Sequence, residues 1–174
     1  MALFIAFEGL DGAGTTTQAR LLADRLEERG LTVHLTKEPS EGPVGSLISL
    51  VLKRRLVSPR VGRPLDPFPS ELLALLFAAD RIDHMQAEIL PNLQTGSVVI
   101  TDRYLLSSLA YQSLGCDLAW LREINREAIT PDLTVLLDVP APVCMRRIEK
   151  ERWQTELFEG VEKLSVVRKN YLRL

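Results

Sequence analysis

The stretch FEGLDGAGTTTQ, residues 7–18, decides how the chain is read. Gly9 and Gly14 enclose four residues and Thr15-Thr16 follow, which is the frame of a phosphate-binding loop. In such a loop a strand bends into a helix, backbone N–H groups converge on phosphate oxygens, and the helix N-terminus adds a favourable dipole. Gly9, Gly12 and Gly14 permit the backbone angles and a close approach. The candidate nucleotide cradle is Gly9, Leu10, Asp11, Gly12, Ala13, Gly14, Thr15, Thr16 and Thr17, with the Thr16 hydroxyl placed for Mg2+. One position departs from the frame: Thr15 stands where a lysine is expected. Losing one preorganised charge contact costs about 2.7–4 kcal/mol, or roughly 10²–10³ in rate. Threonine brings a hydroxyl and no charge. Phosphate binding by the backbone survives that loss better than phosphoryl transfer does, so transfer requires a cation from elsewhere.

Working outward, strand and helix patterns alternate. LFIAFE (3–8) is a short apolar run that reads as a buried strand, and residues 15–29 place Ala19, Leu22, Ala23 and Leu26 on one helical face before Gly30. Further strands are expected at 32–37, 97–102 and 133–139. Further helices are expected at 43–54, 71–90 (capped by Ser70 and ended by Pro91), 104–114, 118–129 (capped by Asp117) and from Pro142 to about 152. A last helix runs from Leu157 to Tyr171. Residues 57–69 carry four prolines and read as an ordered loop. This alternation implies crossover connections and a doubly wound parallel sheet with helices on both faces, an α/β fold in one domain. Ligands in such folds lie beyond the carboxyl ends of the strands, where the sequence puts Gly9, Lys37, Asp102 and Asp138.

Composition narrows the partners. At 174 residues and a net charge of −2, the chain has no general attraction for nucleic acid or anionic membrane. No secretory leader or membrane span is visible, since the longest apolar run, 72–79, is far too short. Cys116 and Cys144 have neither zinc spacing nor disulfide density, and are expected to be reduced thiols of a cytoplasmic protein.

A second constellation supplies charge. The strand 97–102 ends in Asp102-Arg103-Tyr104. Asp102 would lie beside the first loop, where a carboxylate can hold Mg2+ through water, and Arg103 can fork onto a phosphate. The alternative is a surface ion pair. Ser108, Tyr111 and Gln112 share a face of the next helix, either a nucleoside contact or a solvated polar stripe. Phe77 and Arg81, four apart, could stack on a base and bond its edge. Equally, Phe77 could be plain core and Arg81 solvent-exposed.

Taken together, FEGLDGAGTTTQ, TKEP, LLFAADRIDH, TDRYLLSSLAYQS, PDLTVLLDV and RRI resemble the thymidylate kinases, P-loop nucleoside monophosphate kinases, in family order over nearly the whole chain. The resemblance implies transfer of a phosphoryl group from ATP to dTMP with Mg2+. It implies Phe77 stacked on thymine with Arg81, Ser108 and Gln112 at its edge. It implies Tyr111 against the sugar 2′ position, Asp11 on the 3′-hydroxyl, Arg103 on the acceptor phosphate, and Asp102 with Thr16 at the metal. Residues 146–156 correspond to a mobile lid that brings an arginine, here Arg152, over ATP. A homodimer is implied, with helices 71–90 and 104–114 offering apolar faces. A last edge strand and helix are implied that this sequence, ending at Leu174, does not contain, and we expect them in the natural protein.

Several positions depart from the family pattern. Beyond Thr15, the segment TKEPSEGPVGSLIS carries Lys37 and Ser40-Glu41, Ser49 stands where an arginine is common, and the lid reads EKERWQTELFE without a second Asp-Arg pair. Arg103 and Arg152 are then the main cations for the transferring phosphate, with Lys150 behind them. Two alternatives stay open: a nucleotide-binding homologue impaired in catalysis, and a kinase for another deoxynucleoside monophosphate.

Overall fold

Strand β1, Leu3–Gly9, is buried along almost its whole length. Its alternate residues serve two cores. Ile5 and Phe7 pack with Ala19, Ala23, Val98 and Ile100 on one face of the sheet. Phe4 and Ala6 pack with Met85, Ile89, Val99 and Tyr104 on the other. A strand buried on both faces needs a continuous apolar run rather than alternation, and each phenylalanine taken fully from water contributes about 1.5–3 kcal/mol.

The computed structural model describes residues 2–60, 63–66, 68–151 and 160–174. After β1 come α1 (Thr15–Glu27), β2 (Val33–Lys37), α2 (Pro43–Leu52), β3 (Ser58–Arg60), β4 (Arg63–Asp66) and α3 (Ser70–His84). A π-helical turn, Met85–Ile89, leads into α4 (Leu90–Gln94). Then follow β5 (Val98–Asp102), α5 (Leu105–Gln112), α6 (Leu118–Ile124), β6 (Leu133–Leu137), α7 (Ala141–Glu151) and α8 (Val161–Tyr171). Four strands form a parallel sheet in the order β2-β5-β1-β6, so the expected α/β class holds. Phe7 and Lys37 both pair with Asp102, and Gly9 pairs with Leu137, which gathers the carboxyl ends at one rim.

Four expectations need correction. Ser70 does not cap the long helix: it is the first residue of α3, Pro69 holds the cap position, and no side chain makes a capping bond there. Residues 57–69 are not all loop: β3 and β4 pair antiparallel, with Ser58 opposite Asp66 and Arg60 opposite Arg63. Proline is tolerated there because both strands of a two-stranded ribbon are edges. Pro91 does not end the long helix. It falls in the first turn of α4, just after the π turn, whose last bond runs from the Leu90 N–H to the Met85 carbonyl. The helix expected over 118–129 stops at Ile124, because Asn125 turns back and donates from Nδ2 to the Leu121 carbonyl at 2.8 Å. The Asp117 cap is observed, its Oδ1 accepting from Trp120 N at 3.0 Å.

Helix α2 starts tightly against the segment before it. A Cβ on Gly45 would lie 2.2 Å from the Ser40 carbonyl oxygen and 2.6 Å from its nitrogen. Overpacking of this kind costs about 1–3 kcal/mol. Gly45→Ala is therefore expected to lower Tm in a thermal melt, by roughly 2–4 °C per kcal/mol for a chain of this size. An unchanged Tm would mean that the loop yields freely and that this contact does not fix α2.

Candidate active site

The bend between β1 and α1 is built on left-handed glycines. Gly12 has φ 77° and Gly14, which precedes the first turn of α1, has φ 98°. Ala13 N donates to the Leu10 carbonyl at 2.9 Å and closes the turn. Leu10 and Ala13 are buried with Ala110, Cys144 and Ile148, so their side chains hold the loop and leave its backbone to face outward. Helix α7 lies against the bend so closely that a Cβ on Gly12 would stand 2.7 Å from the Cys144 carbonyl oxygen.

A cavity of about 700 Å³ opens from this loop. Of the proposed cradle, Asp11 through Thr17 line it, whereas Gly9 and Leu10 do not. Thr15 is almost fully buried at the start of α1. Thr16 Oγ1, in the first turn of α1, donates to Asp102 Oδ2 at the end of β5. The other oxygen, Asp102 Oδ1, is buried with no partner among the described residues. A hydroxyl and a carboxylate with an open lone-pair site fit Mg2+, which keeps most of its water and takes one or two carboxylates plus substrate phosphates. Among the described residues no cluster of three or more His, Cys, Asp or Glu could hold a metal alone.

Arg103 follows Asp102 in a left-handed conformation, φ 74°, which costs an ordinary side chain roughly 1–2 kcal/mol. That twist sends the guanidinium back across the loop. Nη1 donates to the Gly9 carbonyl at 2.8 Å and to Ser107 Oγ at 3.2 Å, and Nη2 donates to Asp11 Oδ1 at 2.8 Å. Tyr111 lies under it, 5.4 Å from ring centroid to guanidinium carbon. The Tyr111 hydroxyl accepts from Asp11 N at 2.9 Å and donates to Asp11 Oδ2 at 3.1 Å. Burial and the Asp11 charge push its pKa far up, so it stays a neutral donor. Asp11, Arg103 and Tyr111 thus meet at the loop mouth, and the surface-pair reading of Asp102-Arg103 does not hold.

Beneath them sits Glu8, which sequence reasoning did not single out. Its carboxylate accepts from Tyr104 N at 3.1 Å, from the Ser107 hydroxyl and from the Tyr171 hydroxyl at 3.2 Å. The signal was present: an acidic residue inside an apolar strand is buried unless the strand ends there. Burial raises its pKa above 4.5, and the Ser107 hydrogen bond and the Arg103 charge offset this only in part.

At the far end of the cavity the base-side candidates converge. Phe77 packs against Ile48, Val51 and Leu73 and also lines the cavity, so it is core on one side and open to the cavity on the other. Arg81 is only 1% exposed, which excludes the solvent-exposed alternative. Its Nη2 donates to Glu38 Oε2 and to Ser108 Oγ at 2.9 Å, and its Nη1 donates to Asn125 Oδ1. Its Nε is buried with no partner among the described residues. Ser108 and Gln112 are buried and line the same cavity, which excludes a solvated stripe. Glu38 and Asn125 were missed as partners because they lie 43 and 44 residues from Arg81.

The expected lid, 146–156, falls partly outside the described residues. Residues 146–151 are the end of α7; Arg152 and the rest of the segment to 156 lie outside the described residues. Lys150 does not line the cavity. Two cations that sequence reasoning passed over do: Lys53, one turn beyond Ser49, and Arg147. Arg147 Nη1 donates to the Gly12 and Ala13 carbonyls, each at 3.1 Å.

A parallel sheet whose first strand bends through glycines into a helix, with a carboxylate and an arginine supplied by the neighbouring strand, defines a P-loop protein of the nucleotide kinase type. The family model described as Thymidylate kinase matches residues 7–174. A probable thymidylate kinase of Thermococcus gammatolerans is 48% identical over 176 residues, covering 100% of this chain and 83% of that one. One of Pyrococcus horikoshii is 47% identical over 172 residues, 98% of this chain and 82% of that one. A thymidylate kinase of Thermomicrobium roseum is 45% identical over 152 residues, 84% of this chain and 68% of that one. The chain belongs to the thymidylate kinase family. Among the described residues, no helix is long and apolar enough to cross a membrane.

Glu8 gives a pH prediction. A carboxyl whose folded pKa lies above its ordinary 4.5 stabilises the fold at low pH and loses that contribution as pH rises through the folded value. Relative to Glu8→Gln, the wild type should lose Tm as the pH is raised from about 4 to 7. Parallel pH profiles for the two proteins would show that the carboxylate is held ionised with no net penalty.

Proposed function

We propose that the chain transfers the γ-phosphoryl group of ATP to dTMP, giving dTDP. The observation that carries this reading is one continuous cavity. The glycine loop and the Thr16–Asp102 pair stand at one end, Phe77, Arg81, Ser108 and Gln112 at the other, and Arg103 lies between. An oxygen of the dTMP phosphate forms a bond to the γ-phosphorus. The bond from that phosphorus to the β–γ bridging oxygen breaks, and its electron pair leaves with ADP. Such transfer needs positioning and charge neutralisation more than covalent help from the protein.

The loop backbone from Asp11 to Thr17 cradles the phosphates. Asp102 and Thr16 hold the Mg2+ ion, which when bound neutralises charge on the phosphate oxygens. Arg103 holds the acceptor phosphate through the Nε and remaining Nη2 hydrogens that its contacts with Gly9, Ser107 and Asp11 leave available. Phe77 stacks on the thymine, and Arg81, Ser108 and Gln112 read its edge. Asp11 and Tyr111 take the sugar, the ring of Tyr111 leaving no room for a 2′-hydroxyl. Arg152, in a lid at about 146–156, reaches over the transferring group. The whole acts as one domain, in the cytoplasm, as a homodimer. Exposed Leu72, Leu75 and Ile82 recur along one side of α3, an apolar stripe that supports the dimer.

A coupled ATP/dTMP assay tests the reading. Wild-type turnover is expected, and Arg103→Ala should lower kcat by roughly 10²–10³. Phe77→Ala should raise KM for dTMP more than it lowers kcat. Background activity in the wild type would overturn the proposal and leave a nucleotide-binding protein without transfer. For the assembly, light scattering should give a dimer mass that Leu75→Asp/Ile82→Asp reduces to a monomer. An unchanged mass would remove α3 from the interface.

A further inference from the structure

We infer that Arg147 takes the place of the absent loop lysine, its guanidinium supplying from α7 the charge against the phosphate chain of ATP that Thr15 cannot. The inference rests on the proposed ATP site, and it concerns a residue to which that reading gives no role.

Charge balance within the cavity points to this residue. Five cations line it: Lys37, Lys53, Arg81, Arg103 and Arg147. Three are already neutralised: Lys37 by Glu41 at 3.0 Å, Arg81 by Glu38 and Arg103 by Asp11 at 2.8 Å. Among the described residues, neither Lys53 nor Arg147 has a carboxylate partner. A polyanion gains most from a cation whose field is not already cancelled. Of these two, Lys53 stands at the end of α2, whereas Arg147 touches the loop itself. Its Nη1 donates to the carbonyls of Gly12 and Ala13, three and two positions before Thr15.

The geometry is also preorganised. The turn of α7 that carries Arg147 is fastened to the loop by the Cys144 and Ile148 contacts at Gly12, so the arginine starts from a fixed point. With Nη1 occupied by two backbone carbonyls, Nη2 and Nε keep three N–H donors for phosphate oxygens. Guanidinium matches phosphate in a two-pronged manner that a lysine cannot, and it does not lose its charge at working pH. A site that has exchanged an ammonium in α1 for a guanidinium on α7 keeps the charge and changes the element that delivers it.

The test compares wild type, Arg147→Ala, Thr15→Lys and the double variant, with Arg147→Lys as a charge-preserving control, Arg152→Ala with and without Thr15→Lys for comparison, and thermal melts to confirm folding. Arg147→Ala should lower kcat for dTMP phosphorylation by roughly 10²–10³. By calorimetry it should weaken ATP about 10- to 100-fold, with little change for AMP, which lacks the β- and γ-phosphates. Arg147→Lys should recover part of both losses. In the Thr15→Lys background the same Arg147→Ala change should cost much less, because the restored ammonium does the same work. Equal weakening of ATP and AMP, or an identical loss in both backgrounds, would overturn the inference. So would rescue by Thr15→Lys of Arg152→Ala in place of Arg147→Ala. If the wild type binds ATP but never phosphorylates dTMP, the proposed reaction falls, while the ATP-to-AMP comparison still decides the role of Arg147.

Discussion

Between Gly9 and Thr15 the chain must leave a strand buried on both faces and enter a helix within a few residues, while another helix lies directly on top of the bend. That constraint positions everything else at the rim of the sheet. It requires a left-handed backbone at Gly12 and Gly14. It turns Leu10 and Ala13 inward as anchors and leaves the loop's backbone exposed to the cavity. It also brings α7 to the loop without any side chain of Gly12 in between. Substituting Thr15 for a lysine leaves this architecture intact, because the bend is shaped by backbone and packing rather than by the charge that it normally carries.

Around the bend the interior holds several buried charged side chains, and Glu8 and Arg81 among them are held by several partners. Glu8 collects a backbone N–H and two hydroxyls. Arg81 is held by Glu38, Asn125 and Ser108. Glu38 in turn lies 3.3 Å from His84 Nδ1, while the other ring nitrogen of His84 is 2.7 Å from the Thr36 hydroxyl. Removing one member of such a set strands another, which costs more than the net contribution of the pair. The arginines of the cavity are therefore held at defined points before any ligand arrives, as transfer by positioning demands.

Much of this was legible from local pattern. The sheet strands announced themselves as short apolar runs, the loop by its glycines within the required strand-to-helix context, and the Asp102-Arg103 strand end by its place beside the loop. Signals with a longer reach were not legible. Four prolines in 57–69 outweighed a hairpin that needs few backbone donors, and Pro91 looked like a stop because the π turn that accommodates it has no sequence signature. Arg81 was ambiguous, since partners that hold it come from just past β2 and from the end of α6, more than forty residues away in sequence. Lys53 and Arg147 were passed over for a similar reason. Each occupies an ordinary solvated-looking position on its own helix, and only the crossing of that helix over the cavity gives it a direction.

The Tyr171 hydroxyl sits 2.8 Å from Ser107 Oγ and 3.2 Å from Glu8 Oε2. A side chain from α8 is thus wired into the same set of hydrogen bonds that aims Arg103 at the first loop. During synthesis the loop and its strand emerge first, yet the groups that fix their chemistry span residues 8 to 171. A nascent chain can close the sheet around β1 early and still hold an unfinished centre until nearly all of these residues have left the ribosome. Maturation of the site is bound in this way to the emergence of α8.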